Sequence, residues 1–223
     1  GTPMLILELM EGGTLAQRIE RGPLDQREAV ELGIAMASAL DYLHGTDILH
    51  RDIKPSNIGF SRSGVPKLMD FGIARLMLDL RQEHGGRAAD ADDELPTLHS
   101  GATWDATQTS ETVSRQLVGT LSYLSPEALD REAASVSFDL WALAMVLYEC
   151  VLGRKIFSSS DVKHTMARIR LGRIPDFEQA CPWGDPALGE FFRHALHRTI
   201  ARRPATAREM RQRLEGVLAR LTG

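Results

Sequence analysis

Cysteine is scarce in this chain: its 223 residues include two, Cys150 and Cys181, with neither disulfide-type nor metal-type spacing. A disulfide-stapled scaffold and a zinc site are therefore not expected, and the default is a reducing, cytoplasmic setting. An excess of positive charge is also missing, with Lys+Arg at 26 against Asp+Glu at 30 and a net charge of -4. No basic stripe is available to neutralise phosphates, so no nucleic-acid partner is expected. The longest apolar run, "LWALAMVLYECVLG" at 140 to 153, is interrupted by Tyr148 and Glu149. It is too short to cross a bilayer and reads as a buried core helix, so no membrane contact is expected within the chain. The opening "GTPMLILELM" shows no signal-peptide pattern, and the expectation from it is a chain that starts already inside a fold. No internal repeat is apparent.

What is present is enough to build a core, since 43% of the residues are hydrophobic. "MLILEL" at 4 to 9 has the pattern of a buried strand, and "EGGTL" at 11 to 15 turns it into a helix with Thr14 as cap. From Asp25 the apolar residues Val30, Leu32, Ile34, Met36, Leu40 and Leu43 predict a long helix ending near Gly45, with Glu28 placed for a capping box. "NIGFSRSGVPKLMDFG" predicts a hairpin around the turn "SRSG". Between Asp79 and Glu111 large apolar residues thin out, which predicts a mobile loop. Helical patterns resume over 137 to 153, about 160 to 171, 187 to 197 and 206 to 221, the last opened by the capping box of Thr206 and Glu209. Trp141 and Tyr148 read as plain packing.

The octapeptide "HRDIKPSN" at 50 to 57 sets a carboxylate, an ammonium and a carboxamide within six positions. "DIK" alone would be a solvated surface turn. The combination of Asp52, Lys54 and Asn57 with a second carboxylate, Asp70 of "DFG", beyond the hairpin suits phosphoryl transfer, which needs positioning and charge neutralisation more than covalent help.

On these motifs the chain resembles the protein kinase family, and "HRDIKPSN", "DFGIAR" and "GTLSYLSPE" together resemble the bacterial eukaryotic-type (Hanks-type) serine/threonine kinases. The resemblance implies an α+β, mostly helical fold: a kinase C-terminal lobe with short β-hairpins at the cleft. One partial kinase domain would fill residues 1–223, with a hinge strand at 1–13, a catalytic loop at 48–57 and an activation segment at 70–127. That segment would contain the mobile insertion 79–111, and a helical subdomain would occupy 128–223. It implies ATP and Mg2+ as cofactors and protein substrates phosphorylated on serine or threonine. Asp52 would orient the substrate hydroxyl and take its proton, Lys54 would neutralise the transferred phosphate, and Asn57 and Asp70 would hold magnesium. The backbone of Glu8, Leu9 and Met10 would hold adenine, with Leu7 as gatekeeper and Thr14 nearby. Supporting roles fall to His50 and Phe71 in a spine, to Gly72, to Thr120 reaching toward Asp52 and Lys54, to Asp139 anchoring the catalytic-loop backbone, and to Arg203 paired with Glu127. Arg51 beside Asp52 implies activation by a phosphate in the activation segment, with Thr112 and Ser114 as candidates and ordinary loop hydroxyls as the alternative. Transfer between two copies in a dimer is compatible with that switch.

The sequence departs from the family pattern in three places. No glycine-rich loop or nucleotide-binding lysine precedes the hinge, so the expectation is a fragment lacking the N-terminal lobe and having little activity alone. Gly59 stands where the family usually has an aliphatic residue under adenine; either a neighbour such as Met69 fills the space or nucleotide affinity is weaker. The stretch from Asp70 to Glu127 is long for an activation segment. A scaffold or pseudokinase lobe without turnover is the alternative function, opposed by the presence of Asp52, Lys54, Asn57 and Asp70.

Overall fold

A computed structural model describes residues 8–70, 121–157 and 162–222. The element order is α1 (Leu15–Ile19), α2 (Gln26–His44), a 3-10 turn (Pro55–Asn57), β1 (Ile58–Phe60) and β2 (Pro66–Leu68). It continues with α3 (Pro126–Leu129), α4 (Val136–Leu152), α5 (Val162–Arg170), α6 (Phe177–Ala180), α7 (Pro186–Ala195), a second 3-10 turn (Ile200–Arg202) and α8 (Ala207–Leu221). Among the described residues the fold is thus mostly helical with one small two-stranded sheet. Among the described residues no helix is long and apolar enough to cross a membrane.

Helix α4 is the axis of the core. Every residue from Asp139 to Val151 is buried, so the helix is covered on all sides rather than along one stripe. The amphipathic helix α2 packs against it and against α8, burying Val30, Leu32, Met36, Leu40 and Leu43, while Ile34 is only partly covered. Helix α4 ends at Gly153, which adopts φ 65° and donates its N–H to Glu149 O at 2.8 Å. A Cβ there would lie 2.8 Å from Pro23 N, so both backbone conformation and space require glycine. Trp141 and Tyr148 do more than pack: the Arg203 guanidinium lies 4.5 Å from the Trp141 ring centroid, and the Tyr148 hydroxyl donates to Pro175 O at 2.9 Å.

The helix starts partly follow the local chemistry of the sequence. Thr14 and Gln17 make a complete capping box on α1. Asp25 caps α2 by accepting from Arg27 N at 2.9 Å, but Glu28 turns away to pair with Arg18 at 3.4 Å, so the expected capping box does not form. At α8, Thr206 accepts from Glu209 N at 3.1 Å, whereas the Glu209 carboxylate reaches one residue further back, to Ala205 N at 2.8 Å. That hydrogen bond holds the Glu209 carboxyl below its ordinary range.

The strand expected over 4 to 9 falls mostly outside the described residues; Glu8 and Leu9 within it are irregular. The hinge expected over 1–13 is therefore not a strand across residues 8–13. Glu11 and Gly12 turn the chain, closed by Gly13 N donating to Met10 O at 3.1 Å, and it then meets the sheet at the bridge of Thr14 with Gly59. The hairpin forms around "SRSG", with β1 and β2 antiparallel in the register Ile58–Leu68, Gly59–Lys67 and Phe60–Pro66. The mobile insertion expected at 79–111 lies outside the described residues.

Candidate active site

The loop from His50 to Asn57 is built on α4. Asp139, 1% exposed, accepts from His50 N at 2.9 Å and from Arg51 N at 2.7 Å, while His44 Nε2 lies 2.9 Å from the same carboxylate. Arg51 adopts φ 63°, a left-handed conformation that costs a non-glycine residue, and the two Asp139 hydrogen bonds hold the consecutive backbone N–H groups that lead into it. His50 is fully buried and bridges the two motifs of the cleft. Its Nδ1 accepts from Asp52 N at 3.3 Å, which leaves Nε2–H to donate to Met69 O at 3.0 Å. Burial pushes the His50 pKa below its ordinary value, against the opposing pull of Asp139, the Met69 carbonyl, Asp52 and Asp70, and so favours the neutral ring this bridge requires.

Asp52, Lys54 and Asn57 come together as a unit. Lys54 Nζ donates to Asp52 Oδ2 at 2.8 Å, and Asn57 Nδ2 donates to the same oxygen at 2.8 Å and to the Asp52 carbonyl at 2.9 Å. The Asp52 side chain stays 31% exposed, so a substrate can reach it. With Asn57 Nδ2 committed to Asp52, its Oδ1, which takes a 3.3 Å hydrogen bond from Ser56, is the face left for a cation.

The hairpin delivers the second carboxylate. The register continues past the strand ends, with Met69 N donating to Asn57 O at 2.8 Å, so Asp70 follows directly beside the Asn57 backbone. Asp70 is exposed and adopts φ 52°. One amide oxygen and one exposed carboxylate fit magnesium, a hard cation that retains several waters and takes remaining ligands from phosphate oxygens. Among the described residues no cluster of three or more His, Cys, Asp or Glu could hold a metal without such help.

On the hinge side, Glu8 pairs with Lys67 Nζ at 2.6 Å, Leu9 is exposed, and the Thr14 hydroxyl accepts its capping bond from Gln17 N at 3.3 Å. A Cβ built on Gly59 would lie 2.5 Å from both Met10 Cγ and Met69 Sδ, so two methionines occupy the space beside the glycine. Sequence reading singled out Met69 as a filler but did not assign Met10 to that space.

Below the cleft, Glu127 and Arg203 form a buried bidentate pair at 2.6 and 3.0 Å. Ser137 donates to Glu127 at 2.9 Å, and Arg203 also donates to the carbonyls of His197 and Arg198. Burial alone would raise the Glu127 carboxyl, but Arg203 and Ser137 together hold it below its ordinary range. Sequence reading missed a second buried contact, the Tyr123 hydroxyl donating to Glu149 Oε2 at 2.5 Å. Burial pushes both groups up. Its available signal was an acidic residue at 149 inside an otherwise apolar helix. Leu7, Phe71, Gly72, Thr112, Ser114 and Thr120 lie outside the described residues.

Comparison with known proteins gives this geometry a family. The family model described as "Protein kinase domain" matches residues 2–214. The chain is 37% identical over 160 residues to the "Probable serine/threonine-protein kinase PknB" of Bifidobacterium longum, covering 71% of this chain and 19% of that protein. It is 30% identical over 211 residues to the PknB of Mycolicibacterium smegmatis, covering 94% of this chain and 29% of that protein. It is 28% identical over 215 residues to mouse "Serine/threonine-protein kinase Nek4", covering 95% of this chain and 23% of that protein. The aligned part is thus under a third of the length of each of these relatives. With the family model running almost end to end and serine/threonine kinases as its relatives, the chain belongs to the protein kinase family, in the Hanks-type serine/threonine branch.

Proposed function

We propose that this domain transfers the γ-phosphate of ATP to serine or threonine hydroxyls of proteins. The observation that carries the reading is the Asp52 carboxylate held by Lys54 and Asn57 at 2.8 Å each, with Asp70 brought alongside by the hairpin. The substrate hydroxyl hydrogen-bonds to Asp52, which orients its oxygen for in-line attack and takes the proton as the new P–O bond forms and the bond from the γ-phosphorus to the bridging β,γ-oxygen breaks, releasing ADP. Lys54 stands next to that carboxylate and stabilises charge on the phosphoryl oxygens in flight. Magnesium held by Asn57 Oδ1 and Asp70 would neutralise the phosphates of the bound nucleotide.

Adenine binds along Glu8, Leu9 and Met10, next to the Leu7 gatekeeper and Thr14. Thr120 reaches toward Asp52 and Lys54, and Phe71 and Gly72 complete the second motif. A phosphate on Thr112 or Ser114, placed by a second copy of the kinase, docks on Arg51 and orders the activation segment. The reading also relies on a glycine-rich loop and a nucleotide-binding lysine to align the phosphates. It takes the working site to be cytoplasmic.

The test is phosphate incorporation from γ-labelled ATP into a generic protein acceptor by the full-length protein, with and without Asp52→Asn. A loss of about 10²- to 10⁴-fold in the variant is expected, with label recovered on serine and threonine. Equal incorporation by both proteins overturns the proposal.

A further inference from the structure

Three arginines of the helical base leave their charge open to solvent. Several others in the same region meet a carboxylate, as Arg170 does with Asp130, Arg193 with Glu178 and Arg213 with Glu209, each at 2.9 Å. Arg173, Arg198 and Arg202 are exposed and have no carboxylate partner among the described residues. They come from two segments that touch. A Cβ built on Gly172, which adopts φ 61°, would lie 3.0 Å from Arg198 Cβ and 3.3 Å from its Cγ, so the Arg198 stem rests on bare backbone directly before Arg173. The Arg202 guanidinium comes within 3.4 Å of His197 Nε2, next to Arg198 in the same turn. Hydrogen bonds fix both segments. Gly172 N donates to Ile169 O at 2.8 Å and Arg173 N to Arg168 O at 3.0 Å, while the buried Arg203 donates to the carbonyls of His197 at 2.6 Å and Arg198 at 3.1 Å. Two large apolar side chains are left exposed beside this contact, Leu171 at 49% just before Gly172 and Ile200 at 43% in the turn that carries Arg198 and Arg202.

From this arrangement we infer that Arg173, Arg198 and Arg202, with Leu171 and Ile200 among them, form a docking surface for protein substrates that carry a short acidic segment with an apolar residue in it, separate from the hydroxyl that receives the phosphate. The inference rests on the kinase reading for the event that docking serves, and it adds the substrate class which that reading left open. Each guanidinium presents a planar fork of donors that matches a carboxylate, and the two apolar side chains supply contact between the charges. Because both backbones are already fixed, little ordering is left to oppose binding. The surface is also tied to the substrate side of the fold. Arg170 joins α5 to α3 through Asp130 and through Leu129 O at 3.2 Å, and α3 stands where the proposed activation segment ends. A short acidic segment fits better than a long polyanion. The chain as a whole carries a net charge of -4, whose field opposes nucleic acid and anionic membrane, whereas a short segment meets only the local positive charge.

The test compares a generic acceptor protein with the same acceptor fused, through a flexible glycine and serine linker, to a tail of aspartates and glutamates around one leucine. With the full-length protein the tail is expected to lower KM by about ten-fold and to leave kcat within about twofold. Arg198→Glu combined with Arg202→Glu should abolish that advantage and leave transfer to the untailed acceptor unchanged. Arg173→Glu, from the other segment, should remove most of it, as should salt at about 0.5 M. Equal KM for the two acceptors overturns the inference, as does an advantage that survives all three substitutions. Fluorescence anisotropy of the free tail peptide gives a readout that needs no catalysis. Peptide binding abolished by the substitutions, in a full-length protein that transfers no phosphate, would retain the docking surface and reject the kinase reading. Transfer without any effect of the tail would do the reverse, and the absence of both transfer and binding would reject both. An RNA oligonucleotide or phosphatidylserine vesicles bound through these arginines, with no binding of the peptide, would overturn the assignment. Peptide binding that emerges only when Asp90, Asp92, Asp93 and Glu94 are changed to their amides would give the surface to the chain's own acidic run and overturn it as well.

Discussion

The cleft and the helical base beneath it both concentrate charged residues, yet they treat charge in opposite ways. In the base, Glu127 meets both nitrogens of the Arg203 fork and the Ser137 hydroxyl, with the two charged side chains 4% and 2% exposed. In the cleft, Asp52 is held on one oxygen by Lys54 and Asn57 while 31% of its side chain faces solvent, and Asp70 is exposed. A buried charge with all its partners present fixes geometry, because losing one partner leaves the other unpaired in a poor solvent. A charge held on one side only is placed and still available to a ligand. The contrast separates charges closed off by their partners from charges left open to a ligand.

The comparison breaks most sharply if the two kinds of ion pair are cut separately. Arg203→Met should lower stability by about 3–5 kcal/mol, read from chemical denaturation, because Glu127 is left charged and buried. Lys54→Met should cost less than about 1 kcal/mol in the same measurement, as expected for a partly exposed pair, and should lower phosphate transfer by about 10²-fold or more. A Lys54 variant that unfolds as readily as the Arg203 variant would erase the distinction.

Asp139 joins the two regions, since it sits in α4 and holds the His50 and Arg51 backbone. Asp139→Asn offers one accepting oxygen where the carboxylate offers two, so a loss of about 1–3 kcal/mol is expected, with the transfer rate falling in parallel. Full stability and full activity in that variant would show that the strained Arg51 conformation needs no such anchor. Smaller effects lie at the helix ends. Gly153→Ala should cost about 1–2 kcal/mol from its left-handed backbone, with the contact to Pro23 adding to it. Thr206→Ala should cost about 1 kcal/mol through the lost cap.

The finest distinction is pH dependence. Burial raises the folded-state pKa of Glu149, so its contribution to stability falls as pH rises from the unfolded carboxylate value, about 4.3, toward that raised value. The folded pKa of Glu127 is depressed, so its contribution is present above about 4.3 and is lost as pH falls through the depressed value. Melting profiles of Glu149→Gln and Glu127→Gln should therefore differ from the parent with opposite slopes in acid. Slopes of the same sign would show that the two buried carboxylates share one environment.

Much of this organisation could be read from residues close together in the chain. "HRDIKPSN" places Asp52, Lys54 and Asn57 within reach of one another in any compact loop, and the Thr14, Asp25 and Thr206 caps act over two or three residues. The same locality explains the misjudged capping boxes: a glutamate three residues into a helix can choose a distant partner such as Arg18, and only packing decides which it takes.

What the sequence by itself determined was the family, several helix caps and the hairpin, all carried by short-range spacing and by side-chain chemistry. Tertiary structure alone decided which oxygen of Asp139 holds which backbone N–H across 88 and 89 residues, how the Glu127 and Arg203 fork is closed by Ser137, and that Met10 joins Met69 beside Gly59. The reason is physical. Contacts between distant segments depend on how whole helices and strands pack, and packing is settled by the sum of many small terms that no single stretch of sequence contains.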